Sequence, residues 1–276
     1  MNTRSCLFFL CLLLPLLCVG TDPANAKKDI TLEPFNFTGS YAFSWRGIPI
    51  GDIVLQINEK KDHYQLRSIT RSQGIVKLFK EHHSDGSVSG KRIGTRYLPQ
   101  NFEARYRSGS KHSHVILGFD DQHALIKETV DPPINHKARP KIPAQLKQQL
   151  FDPLSGLMVL RRNVHAAYAS GKKTFSFDLF EGKRLMRLHG TLAEELNLKM
   201  PDGTRRPALR VTLRRTALGG FKNKELKKMK EGEPLVHLYF SRDTQMRPIK
   251  VAVDIFYGQL RGFLRKTCVT LKQCQK

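Results

Sequence analysis

The sequence predicts a mainly β protein: a curved antiparallel sheet or incomplete β-barrel laid down as a meander, with one short helix packed on or in it. Three observations carry this. Apolar and polar residues alternate with period two through much of the chain, turn chemistry recurs at short intervals, and a single helix signature follows a Pro-rich connector.

Period-two segments run from Thr38 to Phe43, Gly51 to Ile57, Tyr64 to Ile69, Phe102 to Tyr106 and His114 to Leu117. Further on, Leu209, Val211 and Leu213 oppose Arg210, Thr212 and Arg214, and Ile249, Val251, Val253 and Ile255 oppose Lys250, Ala252 and Asp254. Such alternation is expected of antiparallel strands with one buried and one wet face. Asp85-Gly86, Asp120-Asp121, Glu181-Gly182, Pro201-Asp202-Gly203 and Arg242-Asp243 read as the turns between them. Gly47 and Gly51 flank Ile48-Pro49-Ile50, a Pro-containing turn or bulge, because Pro cannot donate to a central ladder. Trp45, the only Trp, stands beside this corner and is expected in the core.

The helix is expected over about 152–165. Asp152 is placed to cap it, Pro153 suits its first position, Leu154, Leu157 and Met158 share a face, and Arg161 and Arg162 complement the dipole at its far end. The Pro-rich crossover 131–143 before it divides a first strand set, about 30–130, from a second, about 170–272. No repeat relates the two, so the helix is expected to pack on or plug one sheet system.

Residues 1–26 read as an export signal: Arg4, an apolar run from Leu7 to Gly20, then Ala24-Asn25-Ala26, with cleavage between Ala26 and Lys27. The mature chain, 27–276, is then a single β-rich domain with no transmembrane segment. Its charge matters most. The protein carries 47 Lys and Arg against 24 Asp and Glu, a formal net charge of +23, and the signal holds one Arg and one Asp, so the surplus survives its removal. With 40% hydrophobic and 26% charged residues, neither a disordered polycation nor a multi-span membrane protein fits. Basicity of this order points to nucleic acid or an anionic surface, and export excludes the first. Anionic lipid, glycolipid or polysaccharide of the cell envelope, or an envelope protein, are the expected partners.

Of five Cys, only Cys268 and Cys274 lie beyond the signal, and an oxidising compartment favours a disulfide between them. Six extended residues span about 20 Å, whereas bridged Cα atoms lie about 5.5 Å apart. A bridge therefore requires a tail that curls back after Cys268.

Several segments occur together and in order: 41–51, from Tyr41 through Trp45 to Gly51; 151–162, opening Phe151-Asp152-Pro153-Leu154-Ser155 and closing on Arg161-Arg162; 180–184; and 239–260. They resemble the exported bacterial family known as domain of unknown function 3108, over about residues 35–265. The resemblance implies a periplasmic protein with a mainly antiparallel sheet, and it brings no established activity, cofactor or catalytic residue.

The residues offer little catalytic chemistry. His112, His114 and His123 could gather three imidazoles, with His82 and His83 a further pair, but the spacing is generic and the sequence shows no carboxylate-rich second shell. No nucleophile elbow, zinc-binding helix or phosphate-cradling glycine loop is present. Asp152, Asp178, Asp243 and Asp254 are acids available to a hydrolase, though Asp152 and Asp243 read better as a cap and a turn residue. The expectation is a non-enzymatic protein without a cofactor or metal that binds a lipid or anionic envelope component on a concave apolar face. Arg161, Arg162, Arg210 and Arg214 would hold phosphate groups, together with Lys222, Lys224, Lys227, Lys228 and Lys230 of a charged loop or short helix. An assembly factor acting through protein contacts, with a filled interior and an exposed apolar patch, is the alternative, and an envelope hydrolase with a polar cleft is a third reading.

Overall fold

The computed structural model describes residues 32–74 and 81–275. The expected export signal and its cleavage site at Ala26 and Lys27 lie outside them.

Thirteen strands form one antiparallel sheet. The first set comprises β1 (Asn36–Trp45), β2 (Ile48–Glu59), β3 (His63–Ser72), β4 (His82–Ile93), β5 (Arg96–Ser108), β6 (Lys111–Phe119) and β7 (Leu125–Asp131). The second comprises β8 (Thr174–Phe180), β9 (Leu185–Lys199), β10 (Arg205–Gly219), β11 (Val236–Ser241), β12 (Pro248–Ile255) and β13 (Gly258–Thr267). Each set is a meander, and the two are joined along β1 and β13, giving the order β7-β6-β5-β4-β3-β2-β1-β13-β12-β11-β10-β9-β8. Among the described residues the α-helical elements include α1 (Pro153–Ser170), α2 (Asn223–Gly232) and the single turn α3 (Leu271–Cys274).

The crossover between the sets touches one end of each of the two sheet edges. Leu125 donates its N–H to the Lys147 carbonyl (3.2 Å) and Gln149 donates to that of His123 (2.9 Å). Two residues on, Phe151 donates to Asp178 (3.2 Å) and Phe180 to Phe151 (2.8 Å). Residues 147–151 thus bond to the start of β7 on one side and to the end of β8 on the other, which occupies one end of each edge strand.

Helix α1 lies on one face of this sheet, against β3, β4, β5, β8 and β9. Asp152 caps it, accepting from the N–H groups of Leu154 (2.9 Å) and Ser155 (3.0 Å), and Pro153 opens it. Gly171 ends it in the left-handed conformation. The helix runs five residues past its expected end, so Arg161 and Arg162 sit in its middle and the dipole argument for them does not apply. Met158, Val159, Leu160, Val164 and Ala167 bury against Leu66, Val88, Phe102, Leu117, Phe177 and Leu192. The interior is therefore a packed core, with no open trough under the helix.

A second, smaller core lies on the opposite face of the second set: Leu198, Met200, Ala208, Tyr239, Ile249 and Ala252. Its presence alters the expected alternation in β12. Ala252 is fully buried while Val251 and Val253 are half-buried, because the end of β9 folds over the face read as wet. A bulge also shifts the register of β12 against β11 between Tyr239 and Phe240. Asp85-Gly86, read as a turn, lies inside β4, paired with Arg105 and Ala104. Pro49 sits where the β1–β2 register shifts, as its missing N–H requires. Asp243 organises the β11–β12 turn, accepting from the N–H groups of Gln245 (3.0 Å) and Met246 (2.9 Å). Trp45 belongs to neither core. It is half-buried at the end of β1, its indole N–H donating to the Tyr257 carbonyl at 3.2 Å. At the C-terminus α3 turns the chain back, and Cys268 and Cys274 are bridged with Cα atoms 5.6 Å apart.

Candidate ligand-binding site

Arg161 is 1% exposed and lies on α1 inside the core. Its guanidinium donates to the carbonyls of Gln245 and Glu33 (both 2.7 Å) and to the Glu59 carboxylate (3.2 Å), and stacks over the Phe35 ring at 4.2 Å. Glu59, also buried, accepts from the Tyr97 hydroxyl (2.7 Å) and the Phe35 N–H (3.3 Å) and pairs with Arg92 at 3.1 Å. These bonds fasten α1 to β2, the chain before β1 and, through Glu59 and Tyr97, β5, and burial keeps Arg161 out of reach of a ligand at the surface. Arg162, half-buried, donates to the Asn163 side chain (3.0 and 3.2 Å). Nearby, burial pushes the Asp152 carboxyl up to about 6 despite its cap bonds, and one of its oxygens has no partner among the described residues. Tyr64 meets Ser155 at 2.7 Å.

The face opposite α1 is different. Arg210, Tyr239, Lys250 and Phe263 are directly paired neighbours on β10, β11, β12 and β13 and make one row across the sheet. The Lys250 ammonium stands 4.6 Å from the Tyr239 ring centre and 5.0 Å from that of Phe263. Burial, then the charges of Arg261 and Arg210, hold its pKa below the usual lysine value. Among the described residues no carboxylate lies within ion-pair distance of Arg210, Lys250 or Arg261. Phe263 continues into a groove of about 680 Å³ between β1, β13 and the β9–β10 turn. Its apolar lining is Phe43, Pro49, Met200, Pro201, Phe263 and Leu264, and its cations are Arg206, Arg265 and Lys266, with Asp202 the one acid. Arg206 pairs with Asp202 at 3.9 Å and Lys266 donates to the Gln273 carbonyl at 3.1 Å, which leaves the rim with a net positive charge. An apolar floor with such a rim suits an amphipathic anion: Arg offers paired donors to phosphate or carboxylate while the rings cover an aliphatic portion.

A second basic cavity, about 340 Å³, lies under the crossover and is lined by His136, Arg139, Lys141, Lys147 and Lys183, with Glu128. Most of its charges are satisfied. Arg139 bonds to the Gly220 carbonyl and to Glu225 (3.0 Å), and Lys147 pairs with Glu128. Lys183 donates to Ser113 at 2.7 Å. Its pKa is lowered by burial and by Arg139, Arg184 and Lys222, against the pull of Glu181.

The basic residues singled out from the sequence therefore fall into three places. Arg161 and Arg162 are on α1, the first of them interior. Arg210 and Arg214 are exposed on β10, and Arg210 alone belongs to the row that leads into the groove. Lys222 precedes α2, which carries Lys224, Lys227, Lys228 and Lys230 beside the crossover cavity, where the Glu225 side chain accepts from the Lys222 N–H at 2.8 Å. Tyr239, Lys250, Phe263, Arg206, Arg265 and Lys266 were not legible as a group, since they come from four strands whose neighbourhood only the sheet order reveals.

The residues with catalytic potential stay apart. His114 bonds to Glu103 at 2.8 Å, and His123 is buried between Phe119 and Phe151, where desolvation holds it below the usual imidazole range. Among the described residues no three His, Cys, Asp or Glu side chains gather as a metal site. Asp178 and Asp254 are engaged by Arg187 (2.7 Å) and His237 (3.0 Å).

The fold and groove define a helix-filled, barrel-like antiparallel sheet with a basic and aromatic outer surface. Residues 40–265 match the family described as Protein of unknown function (DUF3108), and the chain belongs to that family. Its fold is similar to that of a crystallised beta-barrel-like protein of domain of unknown function DUF1849 from Brucella abortus, with a TM-score of 0.51 and 13% identity over 88% of this chain and 100% of that one. No curated protein matches it. Among the described residues no helix is long and apolar enough to cross a membrane, which says nothing of strands.

Proposed function

We propose that the protein is an exported, non-catalytic binding protein of the cell envelope that takes an anionic amphiphile on its outer face, along the Arg210–Lys250–Phe263 row and the groove beyond it. The observation that carries this reading is the position of Lys250, held over two aromatic rings between Arg210 and Arg261 with no carboxylate to neutralise any of them. Such an arrangement gives a ligand anion a charge-assisted contact next to an apolar surface. Residues 1–26 and the net charge of +23 support the envelope setting. The interior plays no part, because α1 fills it, so the concave pocket expected from the alternation gives way to an external groove.

Calorimetric titration tests this with a single-chain phosphatidylglycerol and a single-chain phosphatidylcholine, each below its micelle-forming concentration. The anionic lipid should bind at least tenfold more tightly, and Arg210→Glu combined with Lys250→Gln should remove the preference. Equal affinities, or a preference unchanged in the double variant, would overturn the proposal.

A second reading, an assembly factor acting through protein contacts, draws on the filled interior together with the exposed apolar side chains at one end of the sheet.

A further inference from the structure

Two neighbouring hairpins carry apolar side chains into solvent. In the β12–β13 turn Phe256 is 91% exposed and Tyr257 66%, although both are large rings. They pack on each other, edge to face, with centres 4.8 Å apart, which stiffens the tip without hiding it. In the β1–β2 turn Ile48 is 47% exposed, and Trp45 beside it donates its indole N–H to the Tyr257 carbonyl. Because β1 pairs with β13, with Trp45 opposite Leu260, the two turns project from the same end of the sheet as one tip. Arg46 and Gly47 form the tight turn between Trp45 and Ile48, with φ of 51° and 85°, and Arg46 is exposed.

We infer that this paired tip is a membrane-docking device: Phe256, Tyr257 and Ile48 enter the interface of an anionic bilayer, with Trp45 at the headgroup level and Arg46 on the phosphates. Two features favour a bilayer over a protein groove. The apolar groups are projecting hairpin ends and not a flat or concave face, and Trp and Tyr, apolar bodies with a polar end, are the residues that settle at membrane interfaces. The protein behind the tip carries +23, which an anionic surface attracts over a Debye length and turns toward itself. The inference does not depend on the groove. The groove lining reaches Pro49 beside Ile48, but Phe256 and Tyr257 lie outside it, and the Lys250–Phe263 row stands three residues further along the strands, about 10 Å from the tip.

Trp45 is the only Trp, so its fluorescence reports the tip alone. Protein processed at Ala26–Lys27 is mixed with vesicles of phosphatidylcholine containing 30–40% (roughly one third) phosphatidylglycerol, with and without lipids brominated on the upper acyl chain, at about 0.1 M salt. Tip insertion should give a blue shift and strong quenching by the brominated lipid. Phe256→Ser with Tyr257→Ser should weaken co-sedimentation at least tenfold while leaving the single-chain lipid titration intact. Conversely, Arg210→Glu with Lys250→Gln should leave the quenching unchanged, which separates failure of the groove from failure of the tip. Binding without quenching would mean that the basic surface adheres by charge alone and would overturn the inference. So would vesicle binding unaffected by the Ser substitutions, or a tip that remains unbound to vesicles and is instead protected by a protein partner.

Discussion

Replacing Arg161 by Ala tests whether the fold hangs on the bonds between α1 and the sheet. The side chain, 1% exposed, makes three hydrogen bonds at 2.7, 2.7 and 3.2 Å and covers Phe35. Its loss strands the Glu33 and Gln245 carbonyls and leaves the buried Glu59 carboxylate with only Arg92, the Tyr97 hydroxyl and one backbone N–H. Breaking a buried pair from one side costs about 3–5 kcal/mol. At about 2–4 °C per kcal/mol for a domain of this size, the melting temperature should fall by roughly 6–20 °C. Arg161→Lys should lie between, since an ammonium cannot span three acceptors set around a planar fork. Arg161→Met with Glu59→Gln removes both charges and should recover part of the loss, because the carboxylate no longer sits buried with one of its two cations missing, while Arg92 in turn loses its partner. Urea and thermal unfolding of the four proteins give these differences. A loss below about 1 kcal/mol for Arg161→Ala, the scale of an exposed pair, or a double variant no better than the single, would refute the reasoning.

Asp152 should make the protein less stable at neutral than at mildly acidic pH. Its folded-state pKa, about 6, exceeds the ordinary 3.8, so the folded protein binds the extra proton between those values. Stability therefore falls as pH rises from about 4 to 6, by up to about 3 kcal/mol. Asp152→Asn keeps an oxygen for the cap and should flatten that slope in urea melts taken across the range, whereas an unchanged slope would assign it to other groups. Two glycines of β4 should respond differently to substitution by Ala. At Gly90 a Cβ would lie 2.4 Å from the Leu98 carbonyl and 2.7 Å from the Tyr64 ring, which is fixed by Ser155, so a loss of about 1–3 kcal/mol is expected. At Gly86 nothing lies nearer than 3.7 Å, and thermal unfolding should show a change within about 0.5 kcal/mol.

Strand alternation revealed the sheet because Leu209, Val211 and Leu213 pack against a core that is continuous on one side. Asp152 and Pro153 revealed α1 because capping is local chemistry. What stayed hidden depended on who sits next to whom. Arg161 reads as a surface cation until Glu59, about a hundred residues away, is seen against it. Lys250 reads as one more wet-face lysine, and its setting over Tyr239 and Phe263 follows from strand order and the β11–β12 bulge. Trp45 was expected in the core on residue type alone, yet the turn at Arg46 and Gly47 leaves it at the rim.

The packed interior directs the functional argument outward. A sheet of this width could enclose an amphiphile, but α1 lies against five of its strands and Arg161 ties it to the chain before β1 and to the β11–β12 turn. Opening that interior would expose both the core and the Glu59–Arg161 pair, a cost far above what one small ligand returns. The outer face has no such barrier. Its cations outnumber its acids, its groove is already open, and the strands that line it, β1 and β13, are those whose ends form the aromatic tip. A protein seated on a bilayer by that tip would hold the groove, which begins at Pro49 beside Ile48, near the headgroups from which an anionic amphiphile is drawn. The join of the two meanders is thus both the mechanical centre of the fold and the line along which its binding surfaces are arranged.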